Sequence, residues 1–280
     1  AESNAIENFL FKRNKIYSLY STLEPCCHDG RDESCVSKIL KSKKINRVIF
    51  SIKDPDKRVH GKGKKLLRIN KLEVRSEILK KKTRNLYHGY LLNRLENRPK
   101  IILKLAVTLD DYITLKKGTR TKITNSITDT YSDILRSEVD AILVGSNTVK
   151  IDNCILKCKM PSLIKKSPIR VVLNKKLDLN TNAKIFNNCK KFRTIIFTNN
   201  SSKKMISKFK KKNVEVICLT KKNYNLQNIL KKLANIGVSN LLVEGGAKVF
   251  NSFFKENLFD NIYIFRSSFF SGIKENKFLE

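Results

Sequence analysis

With 280 residues, 41% of them hydrophobic and 30% charged, the chain can bury a sizeable core and has the length of two ordinary domains. No apolar run is long enough to cross a bilayer and no charged-then-apolar leader is visible, which disfavours a membrane-spanning or secreted protein. The 58 Lys and Arg against 25 Asp and Glu give a formal charge of +33, but the excess is mostly lysine scattered among Asn and Ile. That pattern predicts attraction to polyanions and phosphorylated small molecules rather than a specific nucleic-acid face.

Residues 2–13 carry Ile6, Phe9 and Leu10 at helical spacing, and Ile16 to Ser21 alternate as a strand does. A loop follows, Thr22-Leu23-Glu24-Pro25-Cys26-Cys27-His28-Asp29-Gly30-Arg31, with Cys35 opening the next helical run to Leu40. Thiols near one another at the start of a helix are natural zinc ligands, since the helix N-terminus and the metal both favour the thiolate. Cys26 and Cys35 are therefore the metal candidates. Cys27 points the other way along an extended chain and reads as a packing residue. His28 reads as a substrate or backbone contact. Ala1-Glu2 is the tail of the His-Ala-Glu motif of zinc-dependent base deaminases, in which the Glu carries protons and the His, expected one position before residue 1, is the third ligand. The bland alternative, incidental thiols in a loop and a terminal Glu of no significance, stays open on spacing alone.

Arg47 to Ile52 reads as a buried strand closed by Asp54-Pro55; a Gly61-Lys62-Gly63 turn, a short helix and a strand near Leu72 to Arg75 follow. A basic helix spans Leu79 to Glu96, and Pro99 disfavours helix at the residue before it, placing a domain boundary between 98 and 99. The alternation then resumes. Strands are expected at Ile101 to Val107, Asp140 to Val144, Ile169 to Leu173, Thr194 to Phe197, Val214 to Cys218, Asn240 to Val243 and Asn261 to Phe265. Helices are expected at Thr128 to Arg136, Lys204 to Lys210, Leu226 to Ala234 and Ala247 to Glu256. Such alternation predicts α/β domains with mainly parallel sheets covered by helices.

Three pieces of the second half end strands in polar or glycine turns, where ligands of open α/β sheets gather. They are Lys104 to Asp110, Asp140 to Val149 with Gly145-Ser146, and Asn240 to Ala247 with Gly245-Gly246. Paired glycines let a backbone approach a ligand closely, and helix starts can take phosphate. Cys154 and Cys158 lack further nearby ligands and read as structural. The seven cysteines form no regular framework and suit the reduced interior of a cytoplasmic protein.

The thiol loop, the Asp54 to Gly63 segment and the second half together resemble the bacterial bifunctional riboflavin-biosynthesis deaminase–reductase family over essentially the whole chain. The resemblance implies a truncated cytidine-deaminase-like domain, 1–98, followed by a dihydrofolate-reductase-like domain, 99–280, whose other members continue past the C-terminus with further strands. It implies Zn2+ on Cys26 and Cys35 with Glu2 catalytic, and NADPH against Ala106, Lys122, Thr124, Thr148, Asp152, Lys175 and Gly246. It further implies a phosphorylated pyrimidine substrate against Arg120, Arg136, Leu156, Lys159 and Glu244, with Arg136 on the ribose phosphate. The chain departs from the family pattern in several places. Asp32-Glu33-Ser34 replaces Thr-Pro-Pro, Lys122 a Trp, Arg120 a Ser, Asn153-Cys154 an Asp-Pro, and Lys159 an arginine whose bidentate fork lysine cannot reproduce. The activity implied is deamination of the pyrimidine followed by reduction of its ribosyl group. Two alternatives are a reductase carrying an inactive deaminase scaffold and a basic RNA-binding protein on a deaminase fold. The latter predicts a stacking motif that is not evident among the Tyr and Phe residues. A homo-oligomer is left open.

Overall fold

The alternating pattern folds as two units, Ala1–Glu96 and Asn97–Glu280, in a computed structural model that describes residues 1–30, 32–114 and 122–271. In the first unit the chain runs α1 (Glu2–Asn8), β1 (Tyr17–Leu23), α2 (Cys35–Ser42), β2 (Ile45–Ile52), α3 (Lys62–Ile69), β3 (Glu73–Ser76), α4 (Lys80–Leu86) and α5 (His88–Glu96). The three strands form a parallel sheet in the order β1-β2-β3. β2 is central and nearly continuously buried, whereas the edge strand β1 alternates half-buried with exposed. Val36 and Ile39 of α2 and Leu67 of α3 pack with Val48, Phe50 and Val74 of the sheet.

Three expectations need correction. The first helix stops at Asn8 rather than running to residue 13, because Phe9, Phe11 and Tyr17 form an edge-to-face trio that folds the chain back toward β1. The glycine turn at 61–63 is instead a helix start: Gly61 takes the left-handed conformation at φ 84, and α3 begins at Lys62 with Gly63 buried inside it. The basic helix from Leu79 is two helices broken at Tyr87, whose hydroxyl bonds Thr22 Oγ1 at 2.8 Å. Asn85 and Gly89, both weak helix formers, flank the break.

The second unit carries β4 (Lys100–Val107), α6 (Ser126–Ser137), β5 (Ala141–Gly145), α7 (Ser146–Asp152), β6 (Ile169–Leu173), β7 (Thr194–Thr198), α8 (Lys203–Lys210), β8 (Glu215–Cys218), α9 (Leu226–Asn235), β9 (Asn240–Val243), α10 (Ala247–Lys255) and β10 (Asn261–Arg266). All seven strands are parallel, in the order β10-β4-β9-β5-β6-β7-β8. Alternate residues serve opposite faces. Ile101, Leu103, Leu143, Val171, Ile195 and Leu241 join the core under α9 and α10, while Ile142, Val144, Val172, Ile196 and Leu242 join the other. A parallel sheet buried on both sides needs such unbroken apolar runs, which is why these strands are conspicuous in the sequence. No helix among the described residues is long and apolar enough to cross a membrane.

Candidate active site

β4, β9 and β5 are neighbours, so their carboxyl ends bring the three polar or glycine turns to one place. They border a cleft of about 400 Å³ lined by Lys104, Ala106, Thr148, Asp152, Glu244 and Gly246, among others. Local packing explains the glycines. A Cβ on Gly145 or Gly245 would lie 2.7 Å from the side chain of Val249, so only glycine lets α10 pack this close. Gly246, with extended φ, has room for a methyl group, and its N–H donates to Thr148 Oγ1 at 3.1 Å, tying the starts of α7 and α10 together. Among the described residues no cap side chain takes the first N–H groups of either helix.

A second, smaller pocket of about 230 Å³ shares Lys104, Ala106 and Asp152 with the cleft and adds Lys122, Thr124, Asp129, Arg136 and Lys159. Its charges are organised by carboxylates. Arg136 donates through Nε and Nη2 to both oxygens of Glu244 at 3.0 and 2.7 Å, and through Nη1 to Asp133 Oδ1 at 3.2 Å. Burial works against the Arg136 cation, but Glu244 and then Asp133 outweigh it and hold its pKa above the ordinary value. Burial likewise opposes ionisation of Glu244, yet Arg136 and Lys104 keep its pKa below normal. Lys104, the least compensated of the three, has its pKa lowered by burial despite Glu244. Thr124 donates to Asp129 Oδ1 at 3.0 Å, and Lys122 pairs with Asp129 at 3.6 Å near the surface.

The structure thus brings together Ala106, Lys122, Thr124, Arg136, Thr148, Asp152, Lys159, Glu244 and Gly246 around two adjoining spaces. It does not bring Lys175 there: that residue is exposed beyond β6, where its carbonyl accepts from Thr198 Oγ1 and the Asn199 N–H. Leu156 lies in the core with left-handed φ 54 and lines neither space. Arg120 lies outside the described residues. Sequence reasoning passed over Asp133 and the half-buried Lys104; their signals were an Asp–Arg pair three residues apart on one helix and a lysine inside an apolar strand. Cys154 has its thiol pushed up to about 12, first by burial and then by Asp152, as suits an inert packing residue.

In the first unit, Glu24 directs the thiol loop. Its buried carboxylate accepts from the Gly61 and Lys64 N–H groups, both at 2.9 Å, seating the start of α3 under Pro25. A Cβ on Gly63 would stand 2.3 Å from the Pro25 carbonyl oxygen, so the loop can lie there only over glycine. Ser34 caps α2 through Ser37 N, and Cys35 begins it. The Cys35 N–H donates to Cys26 Sγ at 3.3 Å, and Cys35 Sγ donates to Glu2 Oε2 at 3.5 Å, so Cys26, Cys35 and Glu2 do meet. Burial first, then Cys26 and Glu2, push the Cys35 thiol up to about 11. His28 borders the hollow that Cys26 and Cys35 line, with Nδ1 buried and without a hydrogen-bond partner among the described residues. Two facing thiols suit zinc chemically, but among the described residues no three His, Cys, Asp or Glu are grouped to hold an ion. The donor set here fits zinc only in part.

Residues 99–279 match the family described as the RibD C-terminal domain. The riboflavin biosynthesis protein RibD of Aquifex aeolicus is 37% identical over 248 residues, 89% of this chain and 68% of its own length. RibD of Bacillus amyloliquefaciens is 31% identical over 265 residues, 95% of this chain and 71% of its own. The crystal structure of a diaminohydroxyphosphoribosylaminopyrimidine deaminase/5-amino-6-(5-phosphoribosylamino)uracil reductase from Thermotoga maritima superposes with a TM-score of 0.77 at 29% identity, over 92% of this chain and 69% of that one. The chain thus spans roughly two thirds of the length of these relatives.

Proposed function

The chain belongs to the RibD family of riboflavin-biosynthesis proteins and carries its reductase domain, and from that premise we propose that the strand-end cleft holds NADPH while the cationic pocket beside it holds a phosphoribosylaminopyrimidine. The observation that carries this reading is the adjacency of the two spaces, which share Lys104, Ala106 and Asp152. Ala106, Thr148, Asp152 and Gly246 would line the nicotinamide cofactor, and the uncapped start of α10 would face its phosphates. NADPH supplies the hydride when bound. In the reduction a hydride adds to the anomeric carbon, the ring oxygen leaves that carbon, and one proton converts it to a hydroxyl, giving a ribityl group. Lys104, whose pKa burial lowers, would be the proton donor in this step. Glu244 would face the sugar, and Arg136, Lys159 and Lys122 would bind the phosphate.

The same reading extends to the first unit, where Cys26 and Cys35 would hold zinc with the histidine that the family pattern places immediately before Ala1. Zinc supplies Lewis acidity when bound, and Glu2 would carry the proton to the departing amine. Both steps belong in the cytoplasm, with phosphorylated small molecules rather than a specific nucleic acid as partners.

Steady-state NADPH oxidation with the deaminated substrate tests the reductase. Saturable turnover supports it; no oxidation and no NADPH binding together would discard it. Turnover of the aminated precursor by a chain extended upstream through the histidine, with about one zinc per chain, supports the first unit as a deaminase. Turnover of the deaminated substrate alone makes that unit a scaffold.

A further inference from the structure

We propose that Asp133 is the positioning residue for phosphate recognition: it locks Arg136 and the loop carrying Lys159 into one cationic clamp. This inference rests on the reading of the pocket given above. Asp133 is 3% exposed and does not line the pocket, so it acts from behind. Both of its oxygens are engaged. Oδ1 accepts from Arg136 Nη1 at 3.2 Å, and Oδ2 accepts from two successive amides, Lys159 N at 2.6 Å and Met160 N at 2.9 Å.

The loop is tied to α6 at further points. Arg136 Nη1 reaches the Lys157 carbonyl at 3.5 Å, and Cys158 Sγ donates to the Asp133 carbonyl at 3.6 Å. One carboxylate therefore sets the direction of the guanidinium and the origin of the Lys159 side chain together. Lys159 makes no ion pair among the described residues, whereas Arg136 is held between Glu244 and Asp133. Labour in the clamp is divided accordingly. Lys159 brings a charge outside any ion pair among the described residues, and Arg136, held by two carboxylates, brings directed N–H groups.

Asp133→Asn separates positioning from charge. Its remaining oxygen can still accept the two loop amides, but its NH2 faces Arg136 Nη1 donor against donor, so the guanidinium loses one anchor while the loop keeps its own. KM for the deaminated, phosphorylated substrate should rise about tenfold, with kcat and the KM for NADPH within about twofold, and inhibition by inorganic phosphate should weaken in parallel. In a cycle with Arg136→Lys, D133N should add less than about twofold, since its effect travels through the guanidinium. If D133N does not fold, Asp133→Glu serves: the longer side chain keeps the charge but displaces the Arg136 head, and the same rise in KM is expected.

Three outcomes overturn the proposal. A fall in KM would mean that deleting a buried negative charge simply raises the pocket's potential. An unchanged KM with a lower kcat would mean a structural role alone. Absence of NADPH turnover in the unsubstituted protein would remove the reading of the pocket and this inference with it.

Discussion

Arg136, half-buried beside the carboxyl ends of the strands, and Arg170, fully buried at the amino end of β6, are both cations of the second unit, and they are stabilised in opposite ways. Arg136 meets two carboxylates, Glu244 and Asp133, which raise its pKa above the ordinary value against the effect of burial. Arg170 is fully buried and donates instead to the carbonyls of Ile155, Asn187 and Phe192 and to Cys189 Sγ, with its head over the Phe192 ring at 5.6 Å. Its Nε has no partner among the described residues, and burial lowers its pKa. Neutral carbonyls hold a charge without offering anything to exchange. Carboxylate pairs can be traded for a ligand's anion, and in this sheet they stand at the end where parallel α/β sheets bind ligands.

The sharpest way to break this comparison is Arg170→Ala. It takes the guanidinium donor from the Ile155 and Asn187 carbonyls, leaves the Phe192 carbonyl to Thr194 Oγ1 and opens a cavity at the amino end, so unfolding in urea should show a loss of about 3–5 kcal/mol, while NADPH affinity of the folded protein stays unchanged. A loss below about 1 kcal/mol would mean that this end is not built around the charge. Next in size, Gly246→Ala adds a methyl group to the cleft where the fold tolerates one. The KM for NADPH should rise about tenfold, equivalent to about 1.4 kcal/mol, with the melting temperature unmoved. Unfolding of the alanine protein well below the parent would instead make Gly246 structural.

A smaller effect is expected from pH. Lys104 has a folded-state pKa below its unfolded one, so the folded protein binds fewer protons in that window. The penalty is complete below the folded pKa and is relieved as pH rises toward the ordinary lysine value, so stability should climb on the alkaline side. Lys104→Met should flatten that climb, read from urea midpoints across the alkaline range. Smallest of all is the exposed Arg193–Glu215 pair, whose Arg193 carbonyl accepts from the Arg170 N–H at 2.9 Å. Glu215→Gln should change stability by less than about 0.5 kcal/mol, and added salt should erase the difference. Buried and exposed arginines of one unit would then differ by about an order of magnitude in what their partners contribute.

The strands of the second unit were legible because each is a short apolar run bounded by turn residues, and burial on both faces demands such runs. Helices with strong periodicity, α9 and α10 among them, were legible for the same reason. The split at Tyr87 was not, since it depends on a hydroxyl contact to Thr22, 65 positions away. Gly61 and Gly63 looked like one turn, yet one starts α3 and the other lies inside it under Pro25. Of the candidate site, the turns at Lys104, Gly145 and Gly245 were visible as local chemistry. Asp133 was not, because its importance lies in a loop 26 and 27 residues further on.

By itself the sequence determined the α/β alternation, the two-unit division near Pro99, the pairing of Cys26 with Cys35 as candidate ligands, and the three strand-end turns. These follow from short-range causes: side-chain periodicity, the fixed φ of proline, and the conformational freedom of glycine. Tertiary structure alone decided the strand order that gathers the three turns and the exclusion of Lys175 and Leu156 from the spaces they form. It also decided that Arg136 is shared by two carboxylates. Strand order and ion pairing are set by packing and burial between distant segments, where the energy of a charge depends on whichever partner the fold has brought within about 3 Å of it.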